Sequence, residues 1–143
     1  MTMRQFADHV IAVSNTNASG ISNLELQKVM YFALGEYIKE HGLNDTVFEI
    51  YTEPFQAWPY GPVIKTEYFR HKKYGRYSIR DDGEYNPAYS EFDELIRKNL
   101  RKSVSQLVEE SHNHATWLNN KQSILQNIPV RYTLEDLNRD FTD

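Results

Sequence analysis

The segment Trp58-Pro59-Tyr60-Gly61-Pro62-Val63 gathers side chains that can do more than fill a core. Two prolines and a glycine restrict its backbone and reduce the freedom it has in the unfolded chain. A loop that is stiff beforehand loses little entropy on binding, and Trp and Tyr are strong interface anchors. Trp58, Tyr60, Gly61 and Pro62 are therefore the candidate partner-binding residues. The same segment also admits a structural role, in which Trp58 closes the core and Gly61-Pro62 starts a helix with Pro62 as its first residue. It is not a phosphate loop, since one glycine between prolines supplies no run of backbone N–H donors.

Other reactive side chains form weaker patterns. His112-Asn113-His114 is the best metal candidate, but two His separated by one residue share a face only in a strand, and no third ligand stands nearby. Asp81-Asp82, Glu91-Asp93-Glu94 and Glu109-Glu110 fall in a turn and on polar helix faces rather than in opposed pairs. Ser103, Ser105 and Ser111 lack a base and an orienting group. There is no Gly-x-Ser-x-Gly, no His-Glu-x-x-His and no Gly-rich loop. The expectation is a binding protein, not an enzyme, with no cofactor and no metal.

The elements that must position these residues follow from spacing. Phe6, Val10 and Val13 predict a helix from about Arg4 to Ser14, followed by a polar loop from Asn15 to Gly20. Ser22 and Glu25 have capping-box spacing. The helix they open carries Leu26, Val29, Met30, Ala33, Leu34, Tyr37 and Ile38 on one stripe, with Tyr31 and Phe32 beside it, and stops near Gly42. Apolar over so much of its surface, it is the expected centre of the core. Gln27 lies within it and is either exposed between stripes or buried with its amide bonded to the backbone of the inserted loop.

Val47 to Tyr51 and Phe55 to Trp58 read as short strands. A helix from about Pro62 to Lys73 follows, then a short strand at Tyr77-Ser78-Ile79 and a turn at Asp81-Asp82-Gly83. Asn86-Pro87 looks like the start of a further helix carrying Phe92, Leu95, Ile96 and Leu100. Val104, Leu107 and Val108 continue after a break near Ser103. A last helix begins at Thr133, with Asp136 near capping-box spacing. The expected fold is α+β and helix-dominated, with five or six helices around a central one and a small β element inserted after the second helix.

The chain has 143 residues, which fits a single domain over 1–143. Its formal net charge of −4 argues against an autonomous nucleic-acid binder. Arg70, His71, Lys72, Lys73 and Arg76 are nevertheless a dense basic run. No cysteine is present, which excludes disulfides and thiolate zinc sites, and no apolar run approaches the length of a membrane span. The expected setting is cytoplasmic, with no membrane partner.

Leu26-Gln27-Lys28-Val29-Met30-Tyr31-Phe32-Ala33 resembles the Leu-Gln-Lys-Leu-Leu-Tyr-Tyr-Ala stretch of the Panacea domain. That family includes phage-associated GepA-like proteins and SocA-like antitoxins. Gln56 to Val63 is similar to the family's Glu-Ala-Trp-x-Tyr-Gly-Pro-Val, with Gln56 where Glu is usual, and Tyr68, Lys73, Tyr74 and Gly75 extend the likeness. Ser111-His112, with Trp117 five residues after the His, resembles a third family pattern, Leu-Thr-His followed by Pro-Trp, with Thr116 in place of the Pro. The resemblance spans about Ser22 to Phe141 and marks Gln27, Tyr31, His112 and Trp117 as motif residues. It implies an antitoxin that neutralises a cognate toxin encoded beside it, commonly in prophages and mobile elements, and it implies no catalytic site. SocA-like members suggest an alternative, an adaptor that delivers a client to a protease. A phage or prophage regulator contacting DNA through Arg70 to Arg76 is the other alternative.

Overall fold

The computed structural model describes residues 1–142. Among them the chain forms α1 (Met3–Thr16), α2 (Asn23–His41), α3 (Asp45–Ile50), β1 (Gln56–Trp58), β2 (Gly61–Val63), α4 (Lys65–His71), α5 (Asp93–Leu100), α6 (Val104–His112), α7 (Ala115–Asn119), α8 (Lys121–Leu125) and α9 (Leu134–Thr142), with short 3-10 turns at Lys72–Tyr74 and Pro87–Phe92. The architecture is α+β and helix-dominated, as expected. The helices are more numerous because α3, α7 and α8 are too short to show a period, and the two-stranded sheet follows the third helix.

Helix α2 is the axis. Ser22 accepts from the Glu25 N–H, and the Glu25 carboxylate accepts from the Ser22 N–H at 3.1 Å, so two orphan donors are satisfied reciprocally. Every residue from Leu26 to Ile38 except Glu36 is buried. Helices α1, α5, α6 and α9, together with β2, enclose it. Aromatic packing ties the layers together. Tyr37 stacks on Phe92 at 4.4 Å, and Phe6 meets Phe92 edge-on at 5.0 Å.

Three expectations need correction. Val47 to Ile50 is helical, not a strand. The Asn44 side chain accepts from the Val47 N–H, Asp45 favours the positive helix start, and Val47 and Ile50 bury one face at i, i+3. Pro62 does not begin a helix. It lies in β2 opposite Ala57, in the register Gln56↔Val63, Ala57↔Pro62, Trp58↔Gly61, and α4 starts at Lys65. There the Glu53 carboxylate accepts from the Thr66 N–H at 3.1 Å, replacing the cap that Ile64 lacks. Tyr77 to Ile79 reduces to a single bridge, Ser22↔Ser78, with the Ile79 N–H bonded to the Ile21 carbonyl at 2.8 Å.

The β1–β2 hairpin is not free on its outer side. Ala57 N–H donates to the Val130 carbonyl at 2.8 Å and Tyr132 N–H to the Phe55 carbonyl at 2.9 Å. Helix α9 opens with Thr133 and Asp136 bonded reciprocally, at 2.9 and 3.0 Å. Gly35 of α2 lets α9 approach, since a Cβ there would sit 2.0 Å from the Phe141 ring. Among the described residues, no helix is long and apolar enough to cross a membrane.

Candidate functional site

The residues singled out by sequence meet at the hairpin. Two neighbouring residues of α2 reach it from one side. The Gln27 side-chain carbonyl accepts from the Ile64 N–H at 2.8 Å, while its amide donates to the Asn23 side chain at 3.2 Å. Gln27 is thus the buried amide that fixes the loop. Lys28 donates its ammonium to the Pro62 carbonyl at 2.7 Å. From the other side, His112 Nε2 donates to the Pro59 carbonyl at 2.9 Å, and Trp117 Nε1 donates to the Trp58 carbonyl at 2.9 Å. The His112 and Trp117 rings stack at 3.8 Å. Three backbone carbonyls of the hairpin, and the Ile64 N–H just beyond β2, therefore end on side chains from α2, α6 and α7. The two-residue loop Pro59-Tyr60, with a second proline at Pro62 inside β2, makes few bonds of its own, so the polar groups around it need such partners.

This frame divides the candidate partner-binding residues. Gly61 and Pro62 are buried. Gly61 has φ +104°, and a Cβ on it would lie 2.5 Å from Ser111 Oγ and 3.0 Å from Lys28 Cε. Trp58 is half-buried, edge-on to Tyr68 at 5.0 Å, with its indole N–H donated to Gln56 at 3.2 Å. Tyr60 stands at the tip and is 68% exposed. Gly61 and Pro62 hold the shape, Trp58 serves both shape and surface, and Tyr60 is free.

Tyr31 belongs to the core beneath. Its hydroxyl lies 2.7 Å from His114 Nδ1 and 3.4 Å from an Asp140 oxygen. Burial raises its pKa well above the ordinary tyrosine value, reinforced by Tyr132 and Asp140. Desolvation lowers the pKa of His112 and of His114, and the ammonium groups of Lys28 and Lys121 also disfavour charge on His112. His112 and His114 serve different partners, and among the described residues no group of three or more His, Asp or Glu is placed to hold a metal.

Lys28 is the residue that sequence reasoning passed over. It is fully buried, and desolvation lowers its pKa from 10.5 to about 7. A lysine in a capped, amphipathic helix ordinarily reads as solvent-facing, so no local signal marks it.

The basic run does not act as one patch. Arg70 donates to Asp8 at 2.7 Å and to Glu67 at 3.0 Å, and His71 is buried. Lys72, Lys73 and Arg76 remain exposed, each over an aromatic ring at 5.3–5.5 Å.

Beside the hairpin lies a groove of about 320 Å³, walled by 56–59 on one side and by Ile124 and 127–130 on the other. Compared with family models, curated proteins and solved structures, the chain matches none.

Proposed function

We propose that this protein is an antitoxin that neutralises a cognate toxin by direct contact, with the Trp58–Pro62 hairpin as the central part of the contact surface. The observation that carries the reading is the exposed Tyr60 at the tip of a hairpin pinned by Gln27, Lys28, His112 and Trp117. Fixing a loop from three helices and then leaving a large aromatic side chain outside favours recognition of another macromolecule, because the ordering cost is already met before binding. The same residues carry the likeness to the Panacea domain. The frame residues spend their polar groups on the loop backbone, which suits support of a surface rather than attack on a substrate.

The test is co-expression with the product of the adjacent reading frame. The chain restores growth to cells in which that product alone is toxic. Tyr60→Ala, combined with Trp58→Ala in a second variant, abolishes rescue. Tyr60→Ala leaves stability within about 0.5 kcal/mol, since it removes an exposed side chain. A toxic product left fully active by the wild-type chain would sink the pairing. Rescue unaffected by either variant would remove the hairpin from the interface.

A further inference from the structure

The groove beside β1 lies between two stretches of chain that carry no carboxylate side chain. The protein carries 20 Asp and Glu in 143 residues, yet none falls between Glu110 and Glu135, and none between Glu53 and Glu67. Both walls of the groove come from these acid-free stretches. Lys121 begins α8 one turn before Ile124, which lines the groove, and its charge is felt at His112. Arg131 follows directly on the Val130 wall and faces Gln56 across an antiparallel bridge. Among the described residues neither cation forms an ion pair. An acidic protein thus keeps two unpaired cations flanking one apolar groove.

The lining is mostly apolar, with Gln56 and Asn127 as its two amide side chains and no charged group among them. Ile128 is 49% exposed, and the Gln56 side-chain carbonyl accepts from the Trp58 indole. The volume is at the lower end of the range for ligand pockets, and the groove is open along one side. Such a surface suits the side chains of a polypeptide better than an enclosed ligand.

We infer that this groove seats a short segment of a partner protein in which apolar side chains are flanked by carboxylates. The apolar side chains fill the space between Trp58 and Ile128, and the carboxylates meet Lys121 and Arg131. This rests on the antitoxin reading for the partner's identity but not for the chemistry of the groove. Charge pairing of this kind sets partner choice and association rate more than raw affinity.

The experiment selects short random peptides on the immobilised full chain. Peptides enriched in Leu, Ile or Phe together with Asp or Glu are expected. A selected peptide binds roughly tenfold more weakly to Lys121→Glu/Arg131→Glu, because two attractive pairs become repulsive, and its affinity falls with salt. Both substituted residues are exposed, so the variant folds, and its unchanged circular dichroism is recorded beside the affinity. Backbone amide shifts on peptide addition are expected to cluster at 56–59 and 124–131. Selected peptides without an acidic bias, affinities indifferent to the charge reversal, shifts elsewhere, or no peptide retained above the bare support would each overturn the proposal. Growth rescue separates the two readings. Full rescue by the charge-reversed variant removes the groove from toxin binding and leaves the antitoxin reading standing, whereas selective peptide binding with no toxin neutralised retains the groove and removes the antitoxin.

Discussion

Lys28 shows at the scale of one residue how the hairpin is held at a cost. Its ammonium is fully buried and meets one carbonyl, that of Pro62, where an ammonium in water would use all three donors. In the unfolded chain it stays protonated up to about its ordinary pKa of 10.5, while in the folded chain it releases its proton at about 7. Between those values the unfolded state binds the extra proton, so stability rises with pH, by up to ~1.4 kcal/mol per unit. Below the lower value both states are protonated and the full desolvation cost is felt. Buried Tyr31 and Tyr132 and part-buried Tyr51 act in the opposite sense, because their raised pKa values make the unfolded state lose protons first above about pH 10. The clean window therefore runs from about pH 7.5 to 9.5. Denaturation midpoints are expected to climb across it for the wild type and to be flatter for Lys28→Met. The substitution also strips the Pro62 carbonyl of its donor, so the slope is the readout, not the absolute midpoint. A flat wild-type profile, or a rise that persists in Lys28→Met, would mean that Lys28 keeps its proton when folded.

At the scale of the element, the hairpin is shaped by helices that lie far away in sequence. Gly61 is the point where they crowd it. Gly61→Ala forces a Cβ into positive φ and against Ser111 Oγ, and is expected to cost about 2–3 kcal/mol. Adding Ser111→Ala removes the hydroxyl, whose own bond is only to the Val108 carbonyl, and should return part of the steric cost, while the close approach to Lys28 Cε and the backbone strain stay. Equal midpoints for wild type and Gly61→Ala by urea titration would show the loop to be softer than this. What the sequence revealed of this element follows the range of each interaction. The Ser22–Glu25 box was legible because its partners are three residues apart. Gln27 was half legible, since a buried amide must find a partner but spacing alone also allowed an exposed position between stripes. Asp45–Ile50 was not, since Val-Phe-Glu-Ile has the composition of a strand and its helix is decided by the Asn44 cap and by burial. His112 and Trp117 were visible as residue types, but their bonds span 53 and 59 positions and no local pattern encodes them. Lys28 was hidden for the same reason.

Across the whole molecule, the C-terminal helix and the hairpin form one mechanical unit. Asp140 of α9 is buried and accepts from both the N–H and the hydroxyl of Thr116 at 3.0 Å, holding the start of α7. The next residue, Trp117, bonds the Trp58 carbonyl and stacks on His112, which bonds the Pro59 carbonyl. Asp140 also lies against the Tyr31 hydroxyl, and Tyr31 packs on Phe32, Phe55, Tyr132 and Phe141 at 5.1–5.5 Å. The route from α9 to the hairpin is therefore two residues and three hydrogen bonds long, whereas α1 reaches α9 only through the core. Asp140→Ala leaves the Thr116 N–H buried without an acceptor, at a cost of about 1–3 kcal/mol. If the unit is real, the loss is not spread evenly. Amide hydrogen exchange in Asp140→Ala is expected to speed up in Ala57–Val63 and Ala115–Asn119 while Phe6 to Val13 keeps its protection, because local opening follows the bonds removed rather than the average stability. Restoring the acceptor with Asp140→Asn should recover part of that protection. Uniform acceleration in all helices would instead make Asp140 a contributor to global stability alone, with no privileged line to the hairpin.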